Sequence, residues 1–339
     1  MAPLAGRISG RAQLWNESCG RSTSGEIWRS MIRIATRKSA LALWQANYLA
    51  DRLRSLPSGP EVELVPIVTI GDANQTDALR QFGSTGVFTR EVQKAVLDQR
   101  ADLAVHSLKD LPTQSADGLV LATVPEREQR CDALLLPLKV DAIQCLDDIP
   151  KGAKIGTGSP RRQAQLLYLR PDLKLCEIRG NVDTRIRKLD EGLYDAIILA
   201  EAGLRRLELA HRISLMLEPP TVYPAVSQGA LGIECRSSDA ATCALLEQIT
   251  CPTSLAEVLA ERSLLRTLRA GCHAPLGVWT QVAGDRLTLT GVLLSLDGTT
   301  RLEQTASGPA DSADQIGVLV AEQLLSSGAA TLLSADSFH

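Results

Sequence analysis

The stretch Met31-Ile-Arg-Ile-Ala-Thr-Arg37 runs directly into Lys38-Ser-Ala-Leu-Ala-Leu-Trp-Gln45, and this junction decides the fold class. Apolar and polar residues alternate from Ile32 to Ala35, which predicts a β-strand. A helix is predicted from about Ala40 to Arg54, because large apolar residues recur there on one side, at Leu41, Trp44, Tyr48 and Leu53. A strand followed at once by a helix is typical of α/β domains, in which helices connect parallel strands.

Strands and helices alternate in two successive runs. The first run continues with a strand over Val62–Ile70, a helix over Thr89–Gln99 and a strand over Asp102–His106. In the second run we expect helices opened by Ser159-Pro160 and over Val182–Asp190, and strands over Ala133–Leu136, Lys154–Gly156, Leu173–Ile178, Ala196–Ala200 and Ala230–Cys235. Two such runs predict two α/β domains with parallel pairing, and a ligand in the crevice between them.

The last ninety residues have a different pattern. A helix is expected over about Leu255–Leu268, followed by alternating strands over Val278–Val282 and Arg286–Leu294. The turn Asp297-Gly298 then leads into Thr299–Gln304, which is typical of a hairpin, and a closing helix spans roughly Ala313–Leu325. These elements predict a third, smaller α+β domain.

Composition excludes several classes of protein. The 339 residues carry a net charge of −3, and aromatic residues make up 3%. A near-neutral chain with few aromatic residues does not fit a nucleic-acid binder that works by bulk charge or base stacking, so any anion site must be local. Since no apolar run approaches the roughly 18 residues that cross a bilayer, no membrane span is expected.

The eight cysteines predict free thiols in a reducing compartment, here the cytoplasm. None pairs as Cys-x-x-Cys and the four histidines form no ligand cluster with them, so no metal site is expected. A chain of this length does not need disulfides. Residues 1–30 carry several arginines among Ser and Gly with no apolar h-region, and we expect a flexible extension and no secretory signal.

Three groups of residues hold candidate chemistry. Asp110 follows the strand that ends at His106, where ligands meet α/β sheets, although a surface turn explains the same residues equally well. The thiol of Cys272 lies on a glycine-flanked turn and is either a nucleophile or a packed side chain. Arginines that follow strands or begin helices predict a polyanion site, because guanidinium groups and helix N-termini bind carboxylates: Arg37, Arg161, Arg162, Arg179, Arg185, Arg205 and Arg206.

Seven segments, in order from about Met31 to the C-terminus, resemble the porphobilinogen deaminase family. They are Ile32–Gln45, Ala104-Val-His-Ser-Leu-Lys-Asp-Leu-Pro112, Ile155-Gly-Thr-Gly-Ser-Pro-Arg-Arg-Gln163, Ile178-Arg-Gly-Asn-Val-Asp-Thr-Arg185, Tyr194–Ala200, Gln228-Gly-Ala-Leu-Gly-Ile-Glu-Cys-Arg236 and Gly271-Cys272. The resemblance implies two α/β domains, like those of periplasmic binding proteins, around a cleft, and a smaller C-terminal α+β domain. It places domain 1 at residues 31–128 plus 226–247, domain 2 at 129–225 and domain 3 at 248–339, with 1–30 outside.

The resemblance also implies an activity. Members of the family condense four units of porphobilinogen, with release of ammonia, into the linear tetrapyrrole hydroxymethylbilane, and they act as monomers without nucleic acid or membrane. Growth starts on a dipyrromethane cofactor held by a thioether, for which the matching sulfur is that of Cys272. The catalytic carboxylate matches Asp110. The implied cofactor contacts are Ser39, Lys109, Thr157, Ser159, Arg161, Arg162, Arg179 and Arg185, and the implied substrate contacts are Arg37, Arg179, Arg185 and Arg206.

A few positions depart from the family pattern. Gln81 and Thr85 stand where lysines are common, which removes two cations near the site. Asp183 and Ser227 each replace a usual glycine, and Pro160 replaces a usual leucine. We expect Asp183 to pair with Arg179 or Arg185 and to weaken its hold on a carboxylate.

Two rival functions make different predictions. A solute-binding protein would use the same arginine-lined cleft without chemistry, but a Gly-Cys turn in a third domain is not needed for binding. A hydrolase would use Ser107 as nucleophile, but no Gly-x-Ser-x-Gly motif occurs, and adjacent His106 and Ser107 point to opposite faces of a strand.

The variants Asp110→Asn and Ser107→Ala separate the polymerising enzyme from the hydrolase. We expect Asp110→Asn to lower the rate of tetrapyrrole formation by about 100-fold or more, because the charge that stabilises a developing cation is lost. The Ser107→Ala variant should keep its turnover. Steady-state product formation measures both rates, and the opposite ranking would favour the hydrolase.

Overall fold

The computed structural model describes residues 31–68, 89–140, 143–271 and 274–335. The predictions for residues 1–30, for Gln81 and Thr85, and for Cys272 lie outside the described residues. None of the described helices is long and apolar enough to cross a membrane.

The described elements alternate as expected over most of the chain. The strands are β1 (Met31–Arg37), β2 (Glu61–Ile67), β3 (Leu103–Ser107), β4 (Leu119–Thr123), β5 (Asp132–Leu135), β6 (Lys154–Gly156), β7 (Lys174–Cys176), β8 (Ala196–Ala200), β9 (Leu215–Leu217), β10 (Leu231–Arg236), β11 (Leu276–Ala283), β12 (Arg286–Leu294) and β13 (Arg301–Pro309). The α-helices are α1 (Ala40–Arg54), α2 (Arg90–Leu97), α3 (Pro160–Leu169), α4 (Val182–Asp190), α5 (Glu201–Arg206), α6 (Ala240–Glu247), α7 (Pro252–Thr267), α8 (Ala313–Ser326) and α9 (Ala329–Ala335).

Two five-stranded sheets are built on the same plan. The strand order is β2-β1-β3-β10-β4 in the first sheet and β7-β6-β8-β5-β9 in the second. Strand β1 is parallel to β2 and β3, and β6 is parallel to β7 and β8. Both sheets are therefore of mixed α/β type, and each has its parallel strands on one side.

The expectation of parallel pairing is wrong for β10 and β5. Strand β10 is antiparallel to β3 and β4, and β5 is antiparallel to β8 and β9. The chain leaves the first sheet after β4 to begin β5, and it returns after β9 to begin β10. These strands enter from the other sheet and not through a crossover helix, so the rule that helices join parallel strands does not apply to them.

Both faces of the first sheet are buried, which fixes the strand ends that meet the cleft. Ile32 and Ile34 pack with Ala46, Leu49 and other residues of α1, while Ala35 packs on the α2 side. Burial of a side chain such as Leu49 contributes about 1.5–3 kcal/mol. Ser39 caps the N-terminus of α1, and its hydroxyl accepts a hydrogen bond from the amide of Ala42.

The apolar residues of α1 divide between two environments. Of the four residues that predict the helix, Leu53 lies in the core and Tyr48 packs at its edge. Leu41 and Trp44 are only partly buried, and they lie near residues of α5, which belongs to the second half of the molecule. The helix therefore contributes both to its own core and to a contact across the cleft.

The third sheet confirms the predicted α+β arrangement. Strands β11, β12 and β13 form an antiparallel sheet, on which α7 and α8 pack through a shared apolar core. The Asp297-Gly298 turn is present, with Gly298 at φ +71° and the Asp297 carboxylate accepting the amide of Thr299. The strand after the turn begins at Arg301 and extends to Pro309, further than predicted.

The segment Ser227-Gln228-Gly229 returns the chain from the second sheet to the first. It packs against the segment that leads from β4 to β5. The amide of Glu128 donates to the Gly229 carbonyl, and Arg127 Nε donates to the Gln228 carbonyl at 2.9 Å. Gly229 has φ +85°, and a Cβ there would collide with the carbonyl oxygens of Glu128 and Gln129. The two crossings therefore form one tightly packed hinge, and the domain boundaries at residues 128 and 226 stay a prediction.

Ser227 adopts a conformation that suits the glycine usual at this position. Its φ is +60°, in the left-handed region, and its buried hydroxyl has no hydrogen-bond partner among the described residues. Both features destabilise the folded chain.

Ser227→Gly should raise stability by about 1 kcal/mol, since the relief of left-handed strain exceeds the entropy that glycine adds to the unfolded chain. Ser227→Ala is the matched control, because it removes the hydroxyl but keeps the Cβ. Thermal unfolding of the three proteins should rank the glycine variant highest. A glycine variant that melts below the alanine variant would show that φ +60° is not strained here.

Candidate active site

A cleft of about 680 Å³ opens between the two five-stranded sheets. It is lined by residues that follow β1 and β3 of the first sheet and by the start of α3, the start of α4 and the end of α5 of the second half. Nine of the predicted site residues line it: Arg37, Ser39, Lys109, Asp110, Ser159, Arg162, Arg179, Arg185 and Arg206. Thr157 and Arg161 are buried and do not line it.

The side chain of Asp110 is exposed, and the backbone turn that carries it is held in place. Asp110 ends a 3₁₀ turn, Leu108–Asp110, that follows β3. The amide of Leu108 donates to the Ala230 carbonyl, and the Leu108 side chain is fully buried close to Gly232 of β10. The backbone that carries Asp110 is thus fixed at the cleft wall, which suits a group that must meet a developing charge.

Lys109 is a half-buried cation with few compensating contacts. Its Nζ donates to Gln228 Oε1 at 3.4 Å. Burial lowers the pKa of Lys109 to about 8, Arg162 and Arg161 add to the decrease, and Asp110 and Asp132 oppose it. The ammonium group therefore lies in a setting that favours a further anion.

Asp132, which the sequence analysis did not single out, is a fully buried carboxylate at the start of β5. It accepts hydrogen bonds from Arg161 Nη1 at 2.7 Å, from Arg162 Nη2 at 2.7 Å and from Gln228 Nε2 at 2.9 Å. Burial alone would raise the pKa of Asp132, but the two guanidinium groups hold it well below its usual range. The carboxylate is thus ionised and fixes both arginines.

Arg161 and Arg162 share Asp132 but face different surroundings. Arg161 Nη1 also donates to the Tyr223 carbonyl at 2.6 Å, away from the cleft. Arg162 Nη1 donates to the Ile198 carbonyl at 2.9 Å, and Arg162 lines the cleft. Of the pair, Arg162 is therefore the one placed to meet a ligand.

Arg185 and Arg206 are desolvated cations without an ion pair among the described residues. Arg185 Nε donates to the Gly180 carbonyl, and Arg206 Nη2 donates to the Gly229 carbonyl, both at 2.7 Å. Burial lowers the pKa of each guanidinium to about 10, and Arg162 adds to the effect at Arg185. Arg206 ends α5, so the expectation that it begins a helix is wrong.

Arg179 is paired, but not with the predicted partner. Its Nε donates to Glu177 Oε1 at 2.6 Å, in a partly exposed ion pair. Asp183 lines the cleft and makes no ion pair with Arg179 or Arg185 among the described residues. Asp183 therefore does not weaken the hold of these arginines on a carboxylate in the way that we expected. Instead Glu177, which follows β7, competes with a ligand for Arg179.

Two of the predicted hydroxyl-bearing residues, Ser39 and Thr157, accept hydrogen bonds from backbone amides. Ser39 caps α1 from the cleft wall. Thr157 Oγ1 accepts the amide of Ser159 at 3.3 Å, and Ser159 precedes α3 without capping it through its side chain. The Ser159 side chain is thus left available at the start of an arginine-bearing helix.

The geometry around Ser107 gives no support to a hydrolase. Ser107 Oγ accepts a hydrogen bond from Gln45 Nε2 at 2.7 Å. His106 is buried, and its Nε2 lies 3.0 Å from Glu234 Oε2. Since the neighbouring imidazole faces a carboxylate and not the hydroxyl, a Ser-His pair is not formed here.

The third domain contacts the hinge through two buried carboxylates of α7, Glu257 and Glu261, of which Glu261 makes the larger number of hydrogen bonds. Glu261 accepts hydrogen bonds from both terminal nitrogens of Arg127, at 2.8 and 3.0 Å, from the Ser227 amide at 2.7 Å and from the Thr280 hydroxyl at 2.8 Å. Helix α7 leads to Gly271, after which Cys272 lies outside the described residues. The sequence analysis missed this network, whose only signal is acidic residues within the buried pattern of α7.

The donor set fits a ligand that carries several carboxylates and N–H donors. Lys109, Arg162, Arg185 and Arg206 offer cationic donors in the same cleft as the exposed Asp110 carboxylate, and Glu177 and Asp183 add two further carboxylates to its wall. Dipyrromethane carries acetate and propionate arms on rings with N–H groups, so the described side chains fit it. Among the described residues, no three His, Cys, Asp or Glu side chains cluster as metal ligands.

Comparisons with known proteins agree on the family. Residues 32–244 match the family model described as "Porphobilinogen deaminase, dipyromethane cofactor binding domain", and residues 255–326 match "Porphobilinogen deaminase, C-terminal domain". A porphobilinogen deaminase of Maridesulfovibrio salexigens is 45% identical over 302 residues, which cover 89% of this chain and 97% of that relative.

Similar solved structures are more distant. They include the periplasmic VFT2 domain of Bordetella pertussis BvgS, at 13% identity and TM-score 0.40, covering 75% of this chain and 96% of that one. The methionine-binding protein MetQ is 12% identical with TM-score 0.41, covering 68% and 93%. Likeness at this level bears on neither ligand nor activity. The family models and the bacterial relative, however, cover most of the chain, and the chain belongs to the porphobilinogen deaminase family.

Proposed function

We propose that this cleft condenses four porphobilinogen units, with loss of ammonia, into hydroxymethylbilane, on a dipyrromethane primer held by Cys272. The observation that carries the proposal is the exposed Asp110 carboxylate among partly desolvated cations that lack acidic partners. When bound, dipyrromethane supplies the free pyrrole α-carbon to which substrate is joined. The residues of the chain bind, orient and exchange protons around that atom.

Asp110 is proposed as the catalytic residue. As the C–N bond of the substrate breaks and ammonia leaves, positive charge spreads from the methylene carbon into the pyrrole ring. A carboxylate in the cleft accepts a hydrogen bond from the ring N–H and stabilises that charge. Because its backbone is fixed through Leu108, Asp110 meets the charge with little reorganisation, and it is positioned to move the protons that the reaction releases.

The cleft cations are proposed to hold the carboxylate arms. Arg162 and Lys109 belong to one polar network, through Asp132 and Gln228, and would fix the primer near Asp110. Arg185 and Arg206 lie in the same cleft with free capacity for a carboxylate. Charge-assisted bonds of this kind are about twice as strong as neutral ones, so the cations can hold a polyanion while it grows.

The other predicted contacts divide into residues that line the cleft and residues that lie behind its wall. Arg37, Ser39 and Ser159 line the cleft and are proposed to bind carboxylates directly, as is Arg179 once it exchanges Glu177 for a ligand. Thr157 and Arg161 are proposed to act from behind the wall, Arg161 by fixing Asp132.

The location and oligomeric state are also proposals. The net charge of −3 and the aromatic content of 3% support a protein that works without nucleic acid, and a monomer is proposed from the family resemblance. Five described cysteines, Cys131, Cys145, Cys176, Cys235 and Cys251, are free, which favours a reducing compartment such as the cytoplasm. Cys243 is not among these free thiols, and its sulfur lies 3.5 Å from Cys235 Sγ.

The pKa of Lys109 offers a test of the electrostatics in protein made by a host that lacks porphobilinogen. Amine reactivity of Lys109, followed by peptide mass spectrometry against pH, should be half-maximal near pH 8, since burial favours the neutral amine. Asp110→Asn should move the midpoint to lower pH, because the carboxylate that raises this pKa is lost. A midpoint that stays fixed or rises in that variant would contradict the assigned surroundings.

Intact mass measures the covalent part of the proposal. Protein from a host that makes porphobilinogen should carry the mass of two pyrrole units, and substrate should add a ladder of further units. Cys272→Ser should lose the adduct, and Cys251→Ser, which changes another thiol near α7, should keep it. Unmodified wild-type protein from such a host would favour a binding protein and refute the proposal.

A further inference from the structure

Arg206 is held across the cleft by an aromatic ring. Its guanidinium carbon lies 5.5 Å from the centre of the Trp44 ring, within the range of a cation–π contact. Trp44 belongs to α1, which packs on the first sheet, whereas Arg206 ends α5, which follows β8 of the second. The pair therefore joins the two halves of the molecule beside the cleft.

The Trp44 ring is itself fixed. It stacks on Tyr48, one turn further along α1, with ring centres 5.4 Å apart and planes inclined by 7°. Trp44 is not among the residues that line the cleft, whereas Arg206 is. The ring thus supports the guanidinium from outside the cleft and does not reach the ligand.

An aromatic partner leaves the donors of an arginine available. A carboxylate partner occupies the N–H groups in the guanidinium plane, as Glu177 does for Arg179 and Asp132 does for Arg162. An aromatic ring instead contacts the face of the guanidinium, because the positive charge is attracted to the quadrupole of the ring. At Arg206 one terminal nitrogen bonds the Gly229 carbonyl, and the buried Nε has no hydrogen-bond partner among the described residues.

We propose that Trp44 is a positioning residue that orients Arg206 so that its in-plane donors remain free for a carboxylate arm of the incoming pyrrole. This inference rests on the proposed function, in which Arg206 binds substrate. It adds a residue from outside the cleft that sets the affinity of the cleft for each new unit. The chemistry is non-covalent, and no proton or electron is transferred by Trp44.

The chain offers a matched control in a second arginine–tryptophan pair. The Arg130 guanidinium lies 4.1 Å from the centre of the Trp279 ring. Arg130 also pairs with Glu257 at 3.2 Å, and neither Arg130 nor Trp279 lines the cleft. Removal of this ring should affect packing at the third domain without affecting the binding of substrate.

The test measures kcat and KM for porphobilinogen with cofactor-loaded wild-type, Trp44→Leu, Trp44→Phe and Trp279→Leu proteins. Loss of a cation–π contact should raise KM by about 2- to 30-fold in Trp44→Leu, with kcat within about twofold, since uniform binding is lost. Trp44→Phe should give a smaller increase, because phenylalanine is a weaker partner for a cation. Trp279→Leu should leave KM unchanged.

A double-mutant cycle separates positioning from packing. In an Arg206→Met background, Trp44→Leu should cause no further increase in KM, because the ring acts through the guanidinium. An unchanged KM in Trp44→Leu, or the same increase with and without Arg206, would overturn the inference. Should Trp44→Leu fail to fold, an unchanged KM in Trp44→Phe would overturn it instead. Failure of the proposed function is distinct, because the wild-type protein would then form no tetrapyrrole.

Discussion

The architecture of the site depends on the buried carboxylate of Asp132. It lies where the chain first enters the second sheet, and it binds Arg161 and Arg162 from α3 and Gln228 from the returning crossing. A buried ion pair stabilises only when its geometry offsets the loss of hydration, and removal of one partner costs about 3–5 kcal/mol. Asp132 therefore fixes the hinge and aims Arg162 into the cleft in one network.

Lys109, Arg185 and Arg206 have no comparable ion pair among the described residues, and this asymmetry is what the proposed function requires. The lowered pKa values of Lys109, Arg185 and Arg206 reflect the cost of partly burying positive charge, which nearby carboxylates offset only in part. A ligand rich in carboxylates would remove that cost and stabilise the folded state as it binds. The requirements of function and of stability are thus opposed at these cations, as is common at sites that bind charge.

Much of the fold follows from sequence periodicity, and the exceptions have physical reasons. The spacing of apolar residues predicts the bounds of α1, and the alternation over Ile32–Ala35 predicts β1, which extends one residue further at its start and two at its end. The strand before Asp110 places that carboxylate at the cleft. Strands β4 and β9 and helices α5, α6 and α9 were not predicted, and the antiparallel directions of β5 and β10 were missed. Periodicity carries no information on which sheet a strand enters after a crossing.

The site shows the same division between what a pattern predicts and what tertiary contacts decide. Arg161 and Arg162 are neighbours in one motif, yet only Arg162 lines the cleft, because successive helical residues point about 100° apart. Helical spacing groups Trp44 with the core residues of α1, but the ring faces Arg206. The left-handed φ of Ser227 could not be predicted, because a serine in the sequence does not indicate that conformation.

The most direct test is a crystal structure of the cofactor-loaded protein, in which the distances from the Asp110 carboxylate to the pyrrole nitrogens are measured. The account predicts hydrogen bonds of about 2.7–3.2 Å from those nitrogens to Asp110, with the carboxylate arms on the cleft cations and Asp132 still bound to both arginines. A cofactor attached at Cys272 with its ring nitrogens turned away from Asp110, beyond about 3.5 Å, would contradict it.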